Sequence, residues 1–239
     1  MPEHLPFVLA AAELVDLACR RRVEAVDGRI RVVEELRTGD PVLDATLARL
    51  AARRTRPEID EWIRWSAADR VQAHIAALLE SGELSGRLIS IRLDEPPQPM
   101  GLRIADPRRR AALAERLVNI TRTDLELDDE AFGALAQAAG LPALVLSGLT
   151  KYRVAKYLKG LAGWFADTWR YLPGCPDELA LGDADVEPGG VNPARDEPQR
   201  LLIRLAVQQA VKLCVAKTRK TWQAQIAEFT ATAVFLDSM

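Results

Sequence analysis

Cations are the residues of this 239-residue chain best suited to chemistry. Arg20, Arg21 and Arg22 form one run, and Arg53, Arg54 and Arg56 a second. Either run could grip phosphate, since each charge near an anionic membrane contributes about 1 kcal/mol. Cations also belong at a helix C-terminus, where the backbone dipole favours them with or without a ligand. Arg20, Arg22, Arg64 and Arg70 form the candidate ligand-binding set. A further segment interleaves Lys151, Arg153, Lys156 and Lys159 with Tyr152 and Tyr157, ahead of Trp164, Phe165 and Trp169. Such a helix could lie in a lipid headgroup layer, aromatics at the boundary and lysines against phosphate. Its members Val154, Leu158, Leu161, Phe165 and Trp169 also keep the spacing of a plain buried face.

Catalysis has no visible signature. His74 has no serine or cysteine nucleophile motif to serve, and no phosphate-binding loop or dinucleotide glycine motif occurs. Cys19, Cys175 and Cys214 are scattered, so neither a disulfide framework nor a structural zinc site is expected. Asp183 and Asp185 lack the remaining ligands of a calcium loop, and Asp128, Asp129 and Glu130 read as acids at a helix start. No cofactor and no metal is implied. The formal net charge of -2 gives no reason to bind nucleic acid. The apolar fraction of 49% and charged fraction of 28% are those of an ordinary globular protein. The N-terminus has no secretory pattern and no window supplies a membrane span, so a cytoplasmic protein is expected, at most associated with a membrane surface.

The elements that must position these groups are mostly helices. A first helix is expected over 9–22, and Val23 to Val33 alternates around Asp27-Gly28 as a hairpin does. Asp40 and Pro41 open a second helix. Two more are expected, one from Ile59 to Trp65 and one from Ala67 to Glu80, closed by Gly82. A second hairpin pairs residues 87–93 with 100–104 across a proline-bearing connection from Asp94 to Pro99. Helices then follow over 108–119 and 128–139, a short one after Pro142, and a long one over 150–171. Residues 172–199, rich in Pro, Gly and acids, read as a linker or loop. From Arg200 to Leu236 no Gly or Pro occurs. There the stripe Val211, Val215, Thr218, Trp222, Ile226, Phe229, Ala233, Leu236 marks a helix that packs on the domain or on a partner. Lys212, Lys217, Arg219 and Lys220 make its middle basic, and partner packing or self-association through the stripe explains it better than nucleic acid does. The class is mainly α: a helical domain over 1–171 with β-hairpins, a 172–199 linker, and a C-terminal helix over 200–239.

This order of elements resembles the Golgi phosphoprotein 3 family, in a divergent form of the bacterial, actinobacterial type. Glu13-Leu14-Val15-Asp16-Leu17-Ala18, Thr38-Gly39-Asp40-Pro41-Val42-Leu43-Asp44, Trp62-Ile63, Leu78-Leu79-Glu80-Ser81-Gly82-Glu83-Leu84 and Ala138-Ala139-Gly140-Leu141 carry the resemblance, over roughly 5–170. The resemblance implies phosphatidylinositol 4-phosphate binding at a membrane and an adaptor role toward the cytoplasmic tails of Golgi enzymes. It also implies a lipid pocket built from a tryptophan before the first helix, an arginine in that helix, and two arginines in the helix leading to Gly82. Residues 1–8 contain no tryptophan, and the three arginine positions fall at Ala10, Ala68 and Val71. A non-catalytic peripheral membrane or adaptor protein is therefore expected, with anionic phospholipid as the partner. The alternatives are an oligomeric protein-binding scaffold and a repurposed pocket enzyme in a bacterial biosynthetic pathway.

Overall fold

The computed structural model describes residues 4–89, 98–121, 125–167 and 198–216. Its described residues form a mainly helical protein with two antiparallel hairpins. Helix α1, Leu5–Cys19, starts four residues before Leu9, with Pro6 in the first turn where a missing N–H costs nothing. It ends early because Arg21 takes a left-handed φ of 56° that turns the chain into β1, Val23–Val26. Strand β2, Arg29–Val32, returns across Asp27 (φ 53°) and Gly28 (φ 72°), the pair of positive angles that the tight turn demands.

The run from Thr38 to Asp44 is a self-contained helix start. Gly39 holds φ 85°, Asp40 Oδ1 accepts from Val42 N (2.8 Å) and Leu43 N (3.1 Å), and Pro41 opens α2, Pro41–Ala51. Asp44 then reaches back to accept from Thr38 N at 2.6 Å and Thr38 Oγ1 at 2.8 Å. These bonds, the backbone one first, hold the Asp44 carboxyl below its usual range.

Two expectations need correction on the next element. Residues 59–65 and 67–80 are one continuous helix, α3, Ile59–Glu80. Its buried face carries Trp62, Ile63 and Ala67, but also Ser66 and Arg70. Those two polar groups interrupt the apolar stripe, which is why the pattern read as two pieces. Strand β3 is Leu84–Ile89, and β4, Gln98–Ile104, already includes Gln98 and Pro99, which were assigned to the connection. Pro99 is tolerated because a two-stranded ribbon has only edge strands. Positions 90–97 lie outside the described residues.

Helix α4, Pro107–Asn119, is capped by Asp106, which accepts from Arg108 N at 2.9 Å. Helix α5, Leu127–Ala138, has Asp128, Asp129 and Glu130 in its first turn, where they complement the helix dipole. Gly140 (φ 74°) separates it from the short α6, Leu141–Val145, and α7 runs over Gly148–Asp167. A last helix, α8, occupies 198–216. The expected linker at 172–199 and the remainder of the expected C-terminal helix, including Lys217, Arg219, Lys220 and Trp222, fall almost wholly outside the described residues.

The main core is built around α1, which is apolar on nearly every side and packs on α2, α3, α5 and β1. From α8, Leu202, Ile203, Ala206, Val207, Ala210, Val211, Leu213 and Cys214 enter the same core. Gln199 Nε2 donates to Glu24 Oε2 (3.3 Å) at one end of α8, and Cys214 Sγ approaches His4 O (4.0 Å) at the other. Helix α8 thus lies antiparallel to α1. Each large aliphatic side chain buried there contributes about 1.5–3 kcal/mol. Val215 departs from the expected stripe: Val211 faces in and Val215 faces solvent, since the buried face follows 203, 207, 210 and 214. A second, smaller core gathers Leu117, Ile120, Ala136, Val154 and Leu158 between α4, α5 and α7.

Candidate functional site

Each of the four arginines expected to hold a ligand is engaged by a carboxylate of its own chain. Arg20 pairs with Asp16 at 2.9 Å, one turn back on α1. Arg22 pairs with Glu34. Arg64 pairs with Asp60 at 2.9 Å, one turn back on α3. Such surface pairs contribute at most about 1 kcal/mol.

Arg70 is different: its side chain is only 3% exposed. Its Nη1 donates to Glu13 Oε2 at 2.9 Å and to Thr46 Oγ1 at 2.7 Å, and its Nε donates to Ser66 O at 3.0 Å. Thr46 Oγ1 in turn donates to Glu13 Oε2 at 2.7 Å. His74, one turn further along α3, places Nε2 at 2.9 Å from Glu13 Oε1. Helices α1, α2 and α3 are therefore tied by one buried anion with two hydrogen-bonded cationic or imidazole partners. Glu13 is 1% exposed, so a substrate cannot reach both of its oxygens. This arrangement clamps the three helices together, with His74 30% exposed at its edge. Of the three positions at which the family resemblance implies pocket arginines, Ala10 is wholly buried, Ala68 is exposed and Val71 is half-buried.

Beside this clamp, Trp65 is half exposed and lies under two guanidiniums, Arg53 at 4.2 Å and Arg49 at 4.7 Å from its ring centre. Arg49 also reaches Asp69 (3.3 Å) and Arg53 reaches Glu61 (3.8 Å). The stack ties the end of α2 to the start of α3.

The strongest charge asymmetry lies elsewhere. Between Glu130 and Asp167 the sequence contains no acidic residue, while Lys151, Arg153, Lys156 and Lys159 all fall on α7. The helix buries its apolar stripe and exposes its basic residues. Val154, Leu158 and Phe165 are buried, and Leu161 packs against them; Trp169 lies outside the described residues. Lys151, Tyr152, Arg153, Lys156, Tyr157 and Lys159 all face solvent. Leu149 (78% exposed), Tyr152 (68%) and Leu144 (61%) add large apolar surface next to those charges. From α4, Arg110 Nη2 donates to the Leu144 carbonyl at 2.7 Å. Sequence reasoning missed Leu149 as part of this face. The absence of acids over 131–166 is the signal that could have found it.

Among the described residues no group of His, Cys, Asp and Glu could hold a metal ion. Cys19 is exposed; burial pushes the Cys214 thiol up to about 12, so Cys214 is inert at neutral pH. Among the described residues no helix is long and apolar enough to cross a membrane. No curated protein matches the chain. A family model described as Golgi phosphoprotein 3 (GPP34) matches residues 2–173, which covers α1 to α7 and stops short of α8. With most of its length matched, and the fold helical with two hairpins, the chain belongs to the Golgi phosphoprotein 3 family.

Proposed function

We propose that this protein is a non-catalytic peripheral membrane protein that docks on anionic phospholipid through the outward face of α7. The observation that carries the reading is the exposed set Lys151, Arg153, Lys156 and Lys159, set among Leu149, Tyr152 and Tyr157 with no acid between 131 and 166. Cations near an anionic leaflet add about 1 kcal/mol each, and flanking leucine and tyrosine side chains supply apolar burial at the boundary. Family membership supports a membrane-surface role. Recognition of phosphatidylinositol 4-phosphate, which the family suggests, would here rest on this distributed face, because Ala10, Ala68 and Val71 occupy the positions of the expected pocket arginines. An adaptor role would use the surfaces left free by docking.

Flotation with vesicles of phosphatidylcholine, alone and mixed with phosphatidylglycerol or phosphatidylinositol 4-phosphate, tests the reading. Binding to both anionic mixtures, weakened by salt, is expected. Equal recovery with neutral and anionic vesicles, or none with either, would refute it.

A further inference from the structure

An apolar groove opens beside the basic face. It is lined by Leu78 of α3, Leu84 of β3, Leu113 of α4, and Leu141, Leu144 and Val145 of α6, with Glu83, Arg109 and Arg110 as its charged members. Its volume, about 460 Å³, falls within the range of small-molecule sites. Leu78, Leu84, Leu113, Leu141 and Val145 are each only half-buried and Leu144 is exposed, so the groove is a strip of unfinished core open to solvent. Arg109 pairs with Glu83, whereas Arg110 meets the neutral Leu144 carbonyl and keeps its charge at the mouth.

We infer that this groove holds one acyl chain of an anionic lipid, with the charged head at Arg110. The ligand class is taken from the surface-docking reading above; the site is separate from the α7 face. Two features select this occupant. The apolar lining rewards methylene groups, each strengthening binding about fourfold. With Glu83 matched by Arg109, the remaining charge of Arg110 rewards a negative head and disfavours a purely apolar helix. Leu144, 61% exposed, carries the apolar lining out to the surface, so a lipid chain can enter from outside.

The test uses the full chain and cis-parinaric acid, a fluorescent fatty acid, below the concentration at which it self-associates. One saturable site per chain is expected, with the uncharged methyl ester bound at least about fivefold more weakly. Leu144→Asp and Arg110→Ala alter exposed residues, and since Arg110 also donates to the Leu144 carbonyl, denaturation curves check that each variant keeps the fold. The first is expected to weaken binding more than about tenfold and the second about fivefold. Absence of saturable binding, equal affinity for acid and ester, or indifference to both variants would overturn the inference. So would a doubling of mass by light scattering that blocks parinarate, since a second copy would then fill the groove. Parallel flotation separates the two readings. Vesicle binding without parinarate binding eliminates the groove and leaves the docking face; parinarate binding without flotation supports the groove and removes the face.

Discussion

Arg70 and Lys156 carry the same charge on helices of 22 and 20 residues, and they do opposite things. Arg70 is sealed among α1, α2 and α3, and its charge is answered by Glu13. Lys156 stands in solvent on a helix face with no acid nearby in sequence. The first cation was a candidate ligand residue because it lay close to an expected pocket position; the second sat on a helix that a buried stripe already explained. Burial and partner, not charge, separate a cation that holds a fold together from one that is available to a ligand. Desolvating an ion costs several kcal/mol, so a buried arginine persists only where an anion and further acceptors meet it.

The largest expected effect breaks the buried side of this comparison. Glu13→Ala removes the buried anion of Arg70 and leaves it only the exposed Asp69 carboxylate at 3.3 Å, and a loss of about 3 kcal/mol is expected in chemical denaturation. Replacing both partners with apolar residues, as in Glu13→Leu with Arg70→Met, should cost much less than that. A double replacement as damaging as the single one would mean that the pair contributes more than it costs to bury. On the exposed side, Lys151→Gln with Lys156→Gln should leave stability within about 0.5 kcal/mol of the parent. The same double variant should lower partitioning onto anionic vesicles about thirtyfold, from about 1 kcal/mol per charge. Unaltered partitioning would return those lysines to the category of ordinary solvated charge.

Smaller effects test the short-range devices. Asp40→Ala removes the cap of α2 and should cost about 1 kcal/mol, read from the same denaturation curves. Asp44 gives a pH signature. Its carboxyl is held below the ordinary 3.8 by the Thr38 backbone N–H and hydroxyl, so its contribution is fully present above that value. The contribution fades as pH falls through the lowered folded-state value, and Asp44→Asn should flatten that acid limb without changing stability trends near neutrality.

What was legible in the sequence was local. Asp27-Gly28 specified a hairpin because few other residues accept two consecutive positive φ angles. Thr38 to Asp44 specified a helix start because every hydrogen bond in it closes within seven residues. Val154, Leu158 and Phe165 specified the inward face of α7 by period alone. The single helix across Ile59–Glu80 was not legible, because Ser66 and Arg70 interrupt its buried stripe and make sense only against other helices. The candidate site divided the same way: the basic and tyrosine residues of α7 could be read directly, while the groove at Leu78, Leu84, Leu113 and Leu144 could not, since it draws on four elements.

By itself, then, the sequence determined the helical class, the turns, the caps and the family, all of which depend on neighbours within a turn or two of chain. The tertiary structure alone decided which arginine turns inward, that α8 lies along α1, and that an apolar groove opens beside a basic face. Glu13 and Arg70 are 57 positions apart, and Gln199 and Glu24 are 175. Contacts of that span are fixed by how whole helices pack, because only packing brings together groups that no local spacing relates.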